Sequence, residues 1–309
     1  MTTPAPRVLE INELAINWHL TESCNYRCGY CFASWNRTDT APELWKDRNG
    51  AARLLSDLWA FFRPGNANNP LWNRLRWRAV RLSLAGGEPT LLGERLVELA
   101  GSARSLGFRV SLITNGSRLA GSSLDRLVPL LDMLGVSVDS LSPSTNTAIG
   151  RVGGTGSPLA AADVVALVER ARSINSRLVI KLNTVVNAQN ADEDLSALVH
   201  SVAPRRWKVL RALPVHSGRL AVEDQAFAGF VERHRAFSTI VSIEDNAAMT
   251  TSYVMMDPQG RFFQNGIGIG YAYSDPVTAI GVGAAFVQLP FSLERYAARY
   301  GVRSAERQL

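Results

Sequence analysis

Cys24, Cys28 and Cys31 are the only cysteines in this 309-residue chain, and they lie on one short segment. The spacing, C-x3-C-x2-C, lets thiolates from a tight loop converge on one inorganic centre, with Gly29 permitting the turn between them. An odd, clustered set is the wrong pattern for a disulfide scaffold and points to metal. An iron–sulfur cube takes four ligands, and three thiolates would leave one iron open to a small molecule. Two other readings use the same residues. One is a zinc site of three cysteines with His19 as fourth ligand, serving a non-enzymatic binding module; the other is three buried free thiols.

Further groups suited to chemistry follow apolar runs. Gly86-Gly87-Glu88-Pro89 combines glycines, which allow close backbone approach, with a carboxylate able to accept from an ammonium group. Thr114-Asn115-Gly116 and Ser137 occupy comparable places after and within later runs. Such positions are reactive when the runs are strands of a parallel barrel, whose carboxyl ends carry the site.

The elements that must position these groups follow from alternation of short apolar runs with helical patterns. Strands are predicted over 14–20, 80–84, 109–113, 134–138, 178–185 and 207–210. Helices are predicted over 43–62, 92–106, 122–133, 159–175, 191–202 and 222–236. In the fourth helix Val164, Leu167, Val168 and Ala171 share one face. Repeated strand–helix–strand units imply a parallel sheet with right-handed crossovers. The expected fold is α/β, a partial (β/α)6 parallel barrel over 1–236, with a C-terminal extension over 237–309 closing the substrate cavity. In that extension, 253–256 and 261–263 read as a hairpin around Asp257-Pro258-Gln259-Gly260, and a helix is predicted near 291–301.

Composition narrows the partners. A net charge of +6, spread without a basic run, argues against direct nucleic-acid binding and suits an anionic small ligand. Met1 to Arg7 shows no apolar signal, and no apolar run reaches membrane length, so the expectation is a cytoplasmic protein without a membrane partner.

The cysteine spacing, with aromatic Tyr30 before the last Cys, resembles the radical S-adenosylmethionine (SAM) enzymes. That resemblance implies two cofactors, a [4Fe–4S] cluster on Cys24, Cys28 and Cys31 and S-adenosyl-L-methionine on its open iron. It also implies an external one-electron reductant of flavodoxin or ferredoxin type. The family's SAM contacts map onto Tyr30, Gly86, Gly87, Glu88, Asn115, Ser137 and Arg151. Relatives that modify peptides or cofactor precursors are an alternative, but they often carry further cysteines for auxiliary clusters, and this chain has none beyond Cys31.

More specific segments are similar to the viperin family: Asn17-Trp18-His19, Cys24 through Phe32, Asp139-Ser140, Ile149-Gly150-Arg151, Lys181 through Asn187, Arg206-Trp207-Lys208-Val209, and Asp245-Asn246 with Ser252-Tyr253. The resemblance spans about 11–265. It implies conversion of a ribonucleoside triphosphate (CTP, UTP or GTP) into its 3′-deoxy-3′,4′-didehydro analogue, an antiviral chain terminator.

The residues suit that substrate. Lys181, Asn183 and Val185 share one strand face and Ile180, Leu182 and Thr184 the other. A lysine within an apolar strand is costly to bury without an anionic partner. Inside a barrel Lys181 reads as a phosphate ligand and Asn183 as a ribose or base contact. Lys208, between Trp207 and Val209, repeats the logic, and Arg81 shares a face with Ser83 and Ala85. By resemblance, Tyr253 lies near the ribose and returns a hydrogen late in the reaction, and Arg299 corresponds to a C-terminal phosphate ligand. The chain departs from vertebrate members in two ways: their N-terminal membrane helix is missing, and residues 264–270 lack their cysteine and lysine.

Overall fold

Ten strands form one sheet among the described residues, which the computed structural model gives as 8–31, 42–154, 158–212, 218–265 and 270–300. They are β1 (Leu9–His19), β2 (Leu75–Ala85), β3 (Arg109–Thr114), β4 (Met133–Ser137), β5 (Val179–Val186), β6 (Arg206–Arg211), β7 (Val241–Glu244), β8 (Val254–Met256), β9 (Arg261–Asn265) and β10 (Tyr271–Pro276). Their order is β10-β9-β8-β1-β2-β3-β4-β5-β6-β7. The strands β1 to β7 run parallel, β8 pairs parallel with the other side of β1, and β9 and β10 complete an antiparallel edge.

Alternation explains the layers. On the outward face, Trp18, Leu82, Leu112, Val136, Leu182 and Trp207 are fully buried in one core with helix residues such as Leu54, Leu58, Leu99 and Val168. The helices supplying that cover are α1 (Arg48–Phe62), α2 (Glu94–Leu106), α3 (Gly121–Leu127), α4 (Pro143–Ile149), α5 (Ala161–Ile174), α6 (Ser196–Val202) and α7 (Asp224–Arg233). In α1 the side chain of Asp47 accepts from Asn49 N–H as an N-cap, and Ala51, Leu54, Leu55, Leu58 and Phe62 form the buried stripe. The intervening strand residues, among them Asn17, Arg81, Ser83, Lys181, Asn183 and Lys208, line a cavity on the opposite face. A sheet whose two faces are apolar outside and polar inside is a curved wall around a ligand space. This is the partial barrel expected from the sequence.

Boundaries differ where single residues mask the pattern. β1 and β2 start earlier than expected. In β2 the flanking Arg76 and Arg78 hide Trp77, whose indole N–H donates to Phe62 O at 2.7 Å. The helix predicted over 122–133 stops at Leu127, since Pro129 enters a 3-10 turn and cannot supply the next helical N–H. Residues after 236 add β7 beside β6 and β8 beside β1 of the same sheet. Among the described residues four short helices follow: α8 (Asn246–Met249), α9 (Val277–Ile280), α10 (Val282–Phe286) and α11 (Leu293–Ala298). Phe32, residues 266–269 and Gly301, which bear on expectations above, lie outside the described residues.

Candidate active site

The cysteine loop leaves the carboxyl end of β1 and is locked between two neighbours. On one side Gly87 N–H donates to Thr21 O at 2.6 Å and Glu88 N–H to Ser23 O at 2.8 Å. The contact is too close for a side chain: a Cβ on Gly87 would lie 2.1 Å from Ser23 O. On the other side Arg27 N–H donates to Gly150 O and Gly29 N–H to Ile149 O, at 3.0 and 2.9 Å. The left-handed residue here is Gly150 (φ +89°), where a Cβ would meet Arg27 O at 2.2 Å. Gly29 has no such φ, so its role differs from the expected turn: it leaves room for Leu220 Cδ1, 3.0 Å from where a Cβ would stand.

Within the loop, Cys31 N–H donates to Cys28 O at 3.0 Å and Tyr26 N–H to Cys24 Sγ at 3.3 Å. None of the three thiols is in a disulfide, and all three line one end of a cavity of about 410 Å³. Burial pushes the Cys24 thiol up, and Cys28 up to about 11. Thiolate ligation therefore has to displace protons. Among the described residues no three His, Cys, Asp or Glu side chains converge tightly enough for a single metal ion. A cube gives each thiolate its own iron, so three thiols lining one cavity suit it. His19, the fourth ligand of the zinc reading, lies at the end of β1, packs edge-on against Phe263 at 5.0 Å, and is lowered to about 4 by burial.

Glu88 is fully buried, and both its oxygens accept from neighbouring loops: Thr90 N–H at 3.0 Å and Thr114 Oγ1 at 2.7 Å on one, Asn115 N–H at 2.8 Å on the other. The carboxylate brackets the β2 and β3 ends together, and the adjacent Gly86 and Gly87 face the cavity instead. Asn115 faces it too, its amide reaching Asn25 Oδ1 at 3.0 Å and lying 3.9 Å from Cys24 Sγ. Ser137 lines the wall and its carbonyl accepts from Arg151 Nη2 at 2.6 Å. Arg151 also lies 3.3 Å from Asp139 and donates to Tyr30 OH at 3.1 Å. Against the cost of burial, Asp139 and Tyr30 keep this guanidinium firmly protonated.

The other end of the cavity is cationic. Arg81, Lys181, Lys208 and Arg299 all line it, with Asn183 between Lys181 and the cysteine end. Burial lowers Lys181 well below the ordinary lysine range, and Lys208, Arg81 and Arg206 add to the effect. Lys208 is lowered to about 8, again by burial, with Glu244 opposing. Its Nζ lies 2.9 Å from Glu244 Oε2 and donates to Tyr253 OH at 2.5 Å. Tyr253 OH also donates to Glu244, and its ring lies under the Arg299 guanidinium at 3.4 Å. Arg299 is anchored by Ser252 O at 2.6 Å and Ala248 O at 3.0 Å. Arg81 pairs with Glu13 at 3.2 Å.

Two residues of this end went unassigned in the sequence. Arg206, opposite Lys181 in the β5–β6 register, lines the cavity and donates to Ser242 Oγ at 3.1 Å. Its position before Trp207-Lys208 on the same strand was the available signal. Glu244 is only 2% exposed, at the end of four-residue β7. Lys208 and Arg299 hold its carboxyl below the usual range despite burial.

The model of the Radical SAM superfamily matches residues 18–202. An S-adenosylmethionine-dependent nucleotide dehydratase of Pseudoalteromonas ulvae is 40% identical over 291 residues, covering 94% of each chain. The chain belongs to the radical SAM superfamily and, within it, to the viperin-like nucleotide dehydratase family. A second member, from Psychrobacter lutiphocae, is 38% identical over 93% of this chain and 95% of its own. Among solved structures, Streptococcus suis SuiB overlays with a TM-score of 0.58 at 14% identity, covering 96% of this chain and 69% of that one. That similarity speaks for the fold. Cofactors of this radical SAM enzyme are a [4Fe–4S] cluster and S-adenosylmethionine.

Proposed function

We propose that this enzyme converts a ribonucleoside triphosphate, CTP, UTP or GTP, into its 3′-deoxy-3′,4′-didehydro analogue. The observation that carries this reading is one cavity with three thiols at one end and five cations, Arg81, Lys181, Arg206, Lys208 and Arg299, at the other. Along β5 the wall runs from Lys181 through Asn183 to Val185, four residues or about 13 Å at strand rise. That length lets a polyphosphate meet the cations while the sugar lies toward the cysteines, with Asn183 beside the sugar or base.

Cys24, Cys28 and Cys31 would hold the cluster, and Gly86, Gly87, Asn115, Ser137, Tyr30 and Arg151 would surround the methionine part of S-adenosylmethionine. Together these cofactors supply, when bound, a 5′-deoxyadenosyl radical that takes a hydrogen atom. The chain's own work is to hold the ribose C4′–H toward that end, roughly 3–4 Å from its acceptor, and to exclude water. Loss of the 4′ hydrogen as an atom, and of the 3′ hydroxyl as water with one electron and one proton, gives the didehydro sugar. Tyr253, bonded to Lys208 and Glu244, offers a place from which that proton or a hydrogen is delivered. A nucleotide without a 3′ hydroxyl cannot be extended, so the product would terminate viral RNA synthesis.

The electron would come from an external donor of flavodoxin or ferredoxin type. Among the described residues no helix is long and apolar enough to cross a membrane. We place the enzyme in the cytoplasm, with residues 1–236 as catalytic core and 237–309 as the segment closing the cavity over the phosphates.

Anaerobically reconstituted enzyme, incubated with S-adenosylmethionine, dithionite and each nucleoside triphosphate in turn, tests the reading. 5′-Deoxyadenosine should rise above the nucleotide-free background with at least one triphosphate. Equal amounts with and without every nucleotide would remove the assignment.

A further inference from the structure

Asp139 is 1% exposed, directly beyond the end of β4, and its two carboxylate oxygens face different parts of the molecule. The β4–β5 ladder ends with Ser137 opposite Asn183. Beyond it Asp139 Oδ1 accepts the Val185 N–H at 2.9 Å, standing in for the next backbone rung, and Asn190 Nδ2 donates to Asp139 O at 2.8 Å. The residue is therefore fixed to β5 and to the turn after it. Its other oxygen, Oδ2, accepts from Tyr30 OH and lies 3.3 Å from Arg151 Nη1. Tyr30 belongs to the cysteine loop, between Cys28 and Cys31, and itself accepts from Arg151 at 3.1 Å.

Packing alone does not require this arrangement. A buried ion pair is no more stabilising than well-packed apolar residues of the same volume, whereas removing one partner leaves a buried charge unmatched. The triad does supply geometry: one carboxylate ties the cysteine loop, the end of β5 and a guanidinium facing the cavity into a single unit. We infer that Asp139 is a positioning residue that, directly and with Tyr30, fixes Arg151 relative to the Cys28–Cys31 turn and so sets where the methionine part of S-adenosylmethionine lies. This rests on the reading that Arg151 lies against the methionine part of S-adenosylmethionine.

The test compares wild type with Asp139→Asn and Asp139→Glu after anaerobic reconstitution. It measures iron per chain, the binding curve for S-adenosylmethionine, and the change this ligand makes in the electron paramagnetic resonance spectrum of the reduced cluster. Asp139→Asn should keep wild-type iron content, weaken S-adenosylmethionine binding by about tenfold, and alter the spectral change. Binding within twofold of wild type with an unchanged spectrum would overturn the proposal. So would parallel loss of iron and binding, which marks general structural damage. If Asp139→Asn does not fold, Asp139→Glu decides, since it keeps the charge opposite Arg151 while displacing the carboxylate from its place. A several-fold weaker affinity with the cluster retained supports the inference, and unchanged affinity refutes it. No nucleotide enters these measurements, so failure of the triphosphate reading leaves the result interpretable. Wild type that shows no spectral response to S-adenosylmethionine would instead refute the cofactor assignment beneath it.

Discussion

At the scale of single residues, the cationic end of the cavity is held in tension before substrate arrives. Burial costs Lys208 its charge more readily than water would, lowering it to about 8, and burial together with Lys208, Arg81 and Arg206 also lowers Lys181 well below the ordinary lysine range. A triphosphate reverses the balance by favouring the protonated amines. Binding should therefore take up protons, and affinity should fall as pH rises through about 8, where free Lys208 loses its proton and the complex must regain it. Calorimetry in buffers of different ionisation enthalpy, between about pH 7.5 and 9.5, measures both. A flat affinity without proton uptake would contradict the assignment of these lysines to the phosphates. Glu244 makes a second residue-scale prediction. It pairs with Lys208 at 2.9 Å and lies 3.6 Å from Arg299. Glu244→Gln removes an internal negative charge that competes with phosphate for both. Ground-state binding of the triphosphate, measured by equilibrium dialysis, should tighten several-fold, and weaker binding would mean that Glu244 organises the cations.

At the scale of elements, the loops at the carboxyl ends of β1 and β2 are built against each other. A methyl group on Gly87 would meet Ser23 O at 2.1 Å, backbone that cannot yield without moving Cys24. Gly87→Ala should fold, because the outward core is untouched, yet incorporate iron at well under half the wild-type level by iron analysis. Normal iron content would show that the two loops are not rigidly coupled. This scale also shows what could be read from the chain beforehand. Lys181 and Lys208 were legible because a cation inside an apolar, two-residue alternation has few explanations, and the C-x3-C-x2-C loop because three clustered thiols have few. Glu244 was illegible: its strand is four residues long, and Ile243-Glu244-Asp245-Asn246 reads as a polar turn. Glu88 was legible as a residue, but its bonds across the sheet were not, because the donors Thr114 and Asn115 sit at the end of β3 and only the folded sheet brings them close. The early halves of β1 and β2 were hidden for a different reason: their exposed charged residues interrupt the apolar pattern.

At the scale of the whole molecule, α11 meets β1 where β8 stops short. β8 reaches only Ile16 to Trp18 of β1, so Ala15 N–H lies beyond its partner strand and donates to Tyr296 OH of α11 at 2.6 Å. Tyr296 is fully buried, and the same helix leads into Arg299 above the Tyr253 ring. Tyr296→Phe leaves a buried N–H unmatched and should cost about 1–3 kcal/mol of stability in denaturant unfolding. It should also weaken triphosphate binding more than S-adenosylmethionine binding, since α11 leads into Arg299 at the cationic end of the cavity. The central claim is that one cavity presents the ribose C4′ of a ribonucleoside triphosphate to the cysteine end. The direct measurement is isotope transfer: CTP, UTP or GTP carrying deuterium at C4′ is turned over anaerobically, and the recovered 5′-deoxyadenosine is weighed by mass spectrometry. The account predicts one added deuterium from a 4′-labelled nucleotide, and none from the same nucleotide labelled at another ribose carbon. Unlabelled 5′-deoxyadenosine formed at the rate of nucleotide turnover would contradict it.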